Sequence, residues 1–187
     1  MRIITGSARS VKLITLDGED VTRPTTERVK EALFSMIQFD IEGRRVLDLF
    51  AGSGQLALEA LSRGAASALL SDIDRNACEV IKKNAQKTKL YDRTRVLNTD
   101  YKAVIRGCQG REKFDIVFLD PPYADKTVQD AIDRMIRADI LADGALVICE
   151  SDDDKPFGGE GLTVKRFAKY SKTYLTVLVK GEVEENE

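Results

Sequence analysis

From Arg44 onward the chain alternates short apolar runs with helical stretches, and the regularity of that alternation leaves few folds open. Val46 to Leu49 reads as a strand, Phe50 to Gly54 as a tight turn, and Gln55 to Arg63 as a helix closed by Gly64. Ser67 to Ser71 is a second strand, followed by a helix that carries Ala77, Val80, Ile81, Asn84 and Ala85. Arg95 to Leu97 is a third, with a helix from Tyr101 to Cys108 behind it. Ile116 to Leu119 is the fourth, and a helix from Thr127 to Ala138 leads to a fifth at Ala145 to Cys149. Strands with a helix between each pair in parallel, and right-handed crossovers then lay helices on both faces of one doubly wound α/β sheet. The last two runs, Leu162 to Phe167 and Thr173 to Val179, follow each other without a helix and predict an antiparallel hairpin at the sheet edge.

Two elements precede the repeat. Arg2 to Thr15 alternates around Gly6-Ser7-Ala8-Arg9, which predicts a hairpin with Ile3, Val11 and Leu13 inward. After Gly18, the segment Thr22-Arg23-Pro24-Thr25-Thr26-Glu27 leads into a helix with Val29, Leu33, Met36 and Ile37 on one face, the threonines serving as caps and Gly43 as the stop. A chain of 187 residues, 43% hydrophobic, has the material for one domain with a sizeable core. The expected organisation is a hairpin and helix extension over 1–42, the sheet over 43–181 and an acidic tail over 182–187, packed as one compact unit.

Ligands of such sheets bind outside the carboxyl ends of the strands, and this chain places an acid at nearly every one: Asp48, Asp72, Asp100 and Asp120. A lone strand-end Asp is ordinarily a turn or cap residue. Four in order, with glycines after the first, point to a binding crevice. Gly52 and Gly54 let the backbone approach a ligand at the next helix N-terminus, and Asp72, eighteen residues past Gly54, is placed to accept both hydroxyls of a ribose. Gly52-Ser53-Gly54-Gln55-Leu56-Ala57 also fits a loose dinucleotide pattern, which keeps an NAD-dependent oxidoreductase open. Asp48 weighs against it, because an extra negative charge suits an amino-acid ammonium better than a pyrophosphate. Asp100 suits an adenine amino group.

The fourth strand stops on Asp120-Pro121-Pro122-Tyr123. Neither proline can continue a ladder, so the chain leaves the sheet here with a carboxylate, unsatisfied peptide carbonyls and a flat ring held on a stiff loop. That set fits an amino group on an aromatic base: acceptors hold the amine hydrogens while Tyr123 stacks on the ring. Histidine is not needed for this chemistry, and the chain has none.

Net charge is only −2, but its distribution is uneven. Lys82 to Lys113 holds ten basic residues against three acids, and the first twelve residues carry Arg2, Arg9 and Lys12 with no acid. A basic surface for nucleic acid and a merely solvated helix face both account for this. Cys78, Cys108 and Cys149 are odd in number and set in apolar surroundings, which predicts reduced core thiols and no metal site. No apolar run approaches a membrane span and the start lacks a signal-peptide core, so a cytoplasmic location is expected.

Asp48-Leu-Phe-Ala-Gly-Ser-Gly54 followed by Asp120-Pro-Pro-Tyr123 resembles the S-adenosylmethionine-dependent amino-methyltransferases. Arg23-Pro-Thr-Thr-Glu-Arg-Val-Lys-Glu-Ala-Leu-Phe34, Leu58-Glu-Ala-Leu-Ser-Arg-Gly64 and the final hairpin narrow the resemblance to the bacterial 16S rRNA guanine-N2 methyltransferases of the RsmD type, whose family name cites guanine 966. It covers almost the whole chain. It implies a Rossmann-like, mostly parallel seven-stranded sheet, S-adenosyl-L-methionine as cofactor, and 16S rRNA, free or in a small ribosomal subunit, as partner. Asp48, Gly52 and Gly54 would hold the methionine end, Asp72 the ribose and Asp100 the adenine, with Ala51, Ile73 and Tyr101 completing the cofactor set. Asp120, Pro121 and Tyr123 would hold the target base, and Arg23, Pro24, Thr25 and Pro122 would contact the substrate. The chain departs from the family pattern at Ser7-Ala8-Arg9-Ser10-Val11, where a Gly and further basic residues are usual, and at Ser171, where a glycine is usual. An N6-adenine methyltransferase and a non-catalytic RNA-binding module are the remaining alternatives.

Overall fold

The computed structural model describes residues 1–16, 24–122 and 124–181, with backbone alone at 24–26, 124 and 125. Seven strands form one sheet: β1 (Arg45–Asp48), β2 (Ser67–Asp72), β3 (Thr94–Asn98), β4 (Phe114–Leu119), β5 (Leu141–Ser151), β6 (Leu162–Tyr170) and β7 (Thr173–Lys180). Their order is β3-β2-β1-β4-β5-β7-β6. The first five pair in parallel, whereas β7 runs antiparallel to both β5 and β6. Helices α1 (Pro24–Met36), α2 (Gln55–Ser62), α3 (Arg75–Lys87), α4 (Tyr101–Cys108) and α5 (Ala124–Arg137) cover the two faces. The seven-stranded, mostly parallel sheet with a C-terminal antiparallel hairpin is the predicted fold.

The period-two alternation of the strands sorts their side chains between two cores. Val46, Ile116, Phe118, Leu146 and Ile148 pack with α1, α2 and α3, while Leu47, Val117, Leu119, Val147 and Cys149 pack with α4 and α5. The three cysteines are buried free thiols. Strand β5 is longer than its apolar run. Ala142-Asp143-Gly144, ahead of the expected start at Ala145, is a bulge inside the strand: Phe114 pairs with Leu141 but Ile116 with Leu146, and Gly144 takes the extra turn at φ 70°.

The N-terminal segment turns back on itself as an irregular hairpin, its arms tied by Ile3 N–H to Val11 O and by Leu13 N–H to Met1 O, each at 3.0 Å. Arg2 and Lys12 form a single antiparallel bridge, with no strand on either side. Side chains of α2 dock this irregular hairpin onto the fold. Glu59, fully buried, accepts from the backbone of Ile4 (2.8 Å) and Thr5 (3.0 Å) and pairs with Lys30 of α1 (3.1 Å) and with Arg63 (2.9 Å). Ser62 Oγ accepts from Ala8 N–H and donates to Thr5 O. Gly6 passes so close to α2 that a Cβ would sit 1.8 Å from the Ser62 carbonyl oxygen. Ile3, Ala8 and Leu13 fill the core beneath, and Val11 is half-buried. The acidic tail at 182–187 lies outside the described residues. Among the described residues, no helix is long and apolar enough to cross a membrane.

Candidate active site

The chain winds outward from β1 to β3 and then returns to the other side of β1 to lay down β4, so the strand order reverses between these two neighbours. Helices leave on opposite faces there and a crevice opens at the carboxyl ends. It holds a cavity of about 680 Å³, within the ordinary size of a small-molecule site.

The wall above β1 and β2 is a backbone cradle. Asp72 Oδ2 accepts from Gly52 N–H (2.9 Å) and Oδ1 from Asp74 N–H (2.9 Å), so the acid at the end of β2 fixes the glycine loop of β1. Each oxygen keeps a lone pair for a ligand hydroxyl. Gly52 adopts φ 53°, and a Cβ there would meet nothing within 4 Å. Gly54 does different work from that expected of it. It is absent from the cavity wall, stands at the N-cap of α2 with φ 80°, and leaves no room behind it: a Cβ would lie 3.3 Å from Ile81 Cγ2 and Leu70 Cδ2. Its lack of a side chain serves helix–sheet packing. Buried Asn84 of α3 braces the loop from behind, donating to Ser53 O (2.9 Å) and Ile14 O (2.9 Å) and accepting from Ile14 N–H (2.7 Å).

Asp48 lies at the cavity floor, 2% exposed, its Oδ1 3.4 Å from Phe50 N–H. Burial first, then the charges of Asp120 and Asp72, push its carboxyl up to about 8. Glu150 at the end of β5 is likewise raised to about 8 by burial and by Asp120. Close-set acids in a dry floor favour a cationic group among them. A second sign that the wall is built for a ligand is Gln55, whose buried Oε1 accepts no hydrogen bond among the described residues.

Across the cavity, Asp100 caps α4 by accepting from Ala103 N–H (2.9 Å). The Tyr101 ring lies 5.3 Å from that of Phe50, and its hydroxyl donates to Asp130 of α5 (2.6 Å). Burial and that bond push the phenol up to about 12, so Tyr101 stays neutral and holds its place. Asp120, Pro121 and Pro122 close the remaining side beside Thr127.

Ten of the residues picked from sequence thus line one cavity: Asp48, Ala51, Gly52, Asp72, Ile73, Asp100, Tyr101, Asp120, Pro121 and Pro122. Tyr123 and Arg23 lie outside the described residues, and Pro24 and Thr25 open α1. Sequence reasoning missed Phe50, Gln55, Asn84 and Glu150. Asn84 had a visible signal, an amide on the apolar face of α3. Glu150 had one too, as a fifth acid at a strand end.

The family model described as "Conserved hypothetical protein 95" matches residues 1–179. A ribosomal RNA small subunit methyltransferase D of Haemophilus influenzae is 38% identical over 157 residues, 83% of this chain and 81% of that protein. Its namesake in Escherichia coli K12 is 39% identical over 152 residues, 81% of this chain and 75% of that one. The solved structure of the Escherichia coli protein yhhF superposes with a TM-score of 0.86 at 34% identity, covering 97% of this chain and 98% of that one.

Proposed function

We propose, from the premise that this chain belongs to the conserved hypothetical protein 95 family, that of the RsmD-type methyltransferases, that it methylates the exocyclic N2 amine of a guanine in 16S rRNA. At the coarser level the chain is an RNA methyltransferase and S-adenosylmethionine is its methyl donor. One juxtaposition supports transfer to the amine of a base: Asp48, Asp72 and Asp100 share a cavity with the Asp120-Pro121-Pro122 corner.

The residues present fit the donor. Asp48, buried with acids for neighbours, suits the methionine ammonium, and the free acceptor of Gln55 faces the same need. Asp72 has lone pairs left for ribose hydroxyls after binding Gly52 and Asp74. Asp100, Ile73 and Tyr101 are assigned the adenine end. Bound there, S-adenosylmethionine supplies a methyl group activated by its sulfonium. The chain supplies the rest. The Asp120 carboxylate and the Pro121 carbonyl accept the two amine hydrogens of the base, drawing the nitrogen lone pair out of ring conjugation toward the methyl. Tyr123 stacks on the base, a contact worth about 1–3 kcal/mol. Because the amine of a paired guanine is out of reach, the nucleotide comes from a loop or is turned out of its stack. Arg23, Pro24 and Thr25 are assigned to the RNA, as is Pro122. The corner alone does not choose guanine over adenine; the Arg23 to Phe34 sequence, which resembles the RsmD type, favours guanine.

Reaction with methyl-labelled donor and 16S rRNA, free and in small subunits, followed by nucleoside analysis, tests this: label is expected in N2-methylguanosine. Label in N6-methyladenosine would reassign the base, and unlabelled RNA from a protein that binds the donor would remove the activity. Asp120→Ala is expected to abolish transfer with donor affinity held within a few-fold, read by calorimetric titration. A fall in both would move Asp120 into the donor site. In thermal melts the donor and its demethylated product stabilise the protein, by about 2.7 kcal/mol at a hundredfold excess over Kd, and NAD does not.

A further inference from the structure

The basic stretch from Lys82 to Lys113 has a use that the cavity does not account for. Four of its ten cations have local partners: Lys82 pairs with Glu79, Arg93 donates to Ala65 O, Arg95 pairs with Glu112 and Lys113 with Asp139. Two others, Lys102 and Arg106, stand one turn apart on the exposed face of α4. There they meet Arg134 and Arg137 of α5 across a groove of about 190 Å³ that Gln109 closes at its far end. No carboxylate lines this groove among the described residues. Arg134 gives its Nε to Asp130 (2.6 Å) and Arg137 its Nε to the Asp133 carbonyl (3.1 Å), which leaves the terminal nitrogens of both guanidinia for a ligand. Lys102 and Arg106 form no ion pair among the described residues, and the Lys102 ammonium lies 5.7 Å from the ring centroid of Tyr101.

Tyr101 is therefore shared: its ring walls the donor cavity, while the next residue opens the groove. We propose that the α4–α5 groove is a phosphodiester site that holds the RNA backbone on its way to the cavity. Guanidinium and ammonium groups spaced along two helices match a string of phosphates, and arginine forks bind phosphate oxygens in pairs. That the polymer is RNA rests on the methyltransferase reading; the anion-binding groove does not. An acidic protein segment is the competing ligand, and continuity with a cavity built for a nucleobase favours the nucleic acid.

The test uses a fluorescein-labelled 20-nucleotide poly(U), which carries no methylation target, with anisotropy titrations from 50 to 300 mM salt. Wild-type protein is expected to bind it with a steep salt dependence. The double variant Lys102→Ala with Arg106→Ala is expected to bind at least tenfold more weakly at 100 mM salt, its slope reduced by about 0.7 for each phosphate no longer neutralised. Arg137→Ala lowers the slope by one such step. Donor affinity and melting temperature stay at wild-type values, and Lys102→Arg with Arg106→Lys retains binding. Wild-type affinity and slope in the double variant would overturn the proposal, as would a wild-type protein that does not bind poly(U). So would a polyglutamate of equal charge that competes as well as unlabelled poly(U). Should methyl transfer to rRNA fail while poly(U) binding still depends on these cations, the methyltransferase reading falls and the groove stands.

Discussion

At Asp48 a carboxyl group is buried beside two other acids, and that burial governs when it gives up its proton. Its pKa is about 8 in the folded protein against an ordinary value of 3.8. Below pH ~4 both folded and unfolded chains carry the proton. As pH climbs toward 8 the unfolded chain has released it and the folded chain has not, so the unliganded protein loses stability across that interval; Glu150 adds to the loss in the same sense. An ammonium bound at Asp48 reverses the preference and expels the proton. Asp48→Asn is accordingly expected to raise the melting temperature more at pH 8 than at pH 5. It should also abolish the proton released on donor binding at pH 7, seen in wild type as a heat that varies with buffer ionisation enthalpy. The sequence displays Asp48 as a strand-end acid, but its proton depends on Asp72 at the end of β2 and Asp120 just past β4, which a linear reading cannot bring together. The two glycines make the same point. Gly52 and Gly54 look alike in sequence, yet one bends the cradle and the other admits the side chains of Ile81 and Leu70.

Among the elements, those governed by local periodicity were legible and those governed by a distant partner were not. The alternating runs of β1 to β4 and the stripes of α2 to α5 announce themselves because each buries one face or both. The N-terminal segment alternates and does fold back on itself, but only as an irregular hairpin, because the N–H groups of Ile4, Thr5 and Ala8 go to Glu59 and Ser62 on α2, partners that alternation does not reveal. Glu59 joins that segment, α1 and α2 through a single buried carboxylate. Glu59→Ala leaves the Lys30 ammonium buried without its partner, and a loss of about 3–5 kcal/mol is expected in urea unfolding. The β6–β7 hairpin offers the opposite case. Its two-residue loop is Ser171-Lys172, and Ser171 is held at φ 60°, where a side chain is strained and glycine is not. Ser171→Gly is expected to stabilise the protein by about 1 kcal/mol, measured by the same unfolding experiment, with donor affinity unchanged.

For the molecule as a whole, the acids at successive strand ends foretold the crevice because parallel strands all deliver their carboxyl ends to one rim. What they could not foretell is the closure of the rim by Tyr101, Asp130 and Phe50, which meet across helices in a way that no spacing rule encodes. The sheet order has a further consequence, for synthesis. Strand β1 is complete at Asp48, but the neighbour that occupies its second edge begins only at Phe114. At ribosomal speeds of about 5–20 residues per second, the intervening chain takes roughly 3–13 s to emerge. Throughout that time Val46 and Leu47 border an open row of peptide groups, an invitation to pair with another nascent chain. A fragment ending at Lys113 is expected to aggregate on release while the whole chain stays soluble, as read by the soluble fraction after centrifugation. The strand that leads into the Asp120-Pro121-Pro122 corner is also the one that ends this exposure, so a chain cut short of β4 lacks both the corner and the cover for the β1 edge.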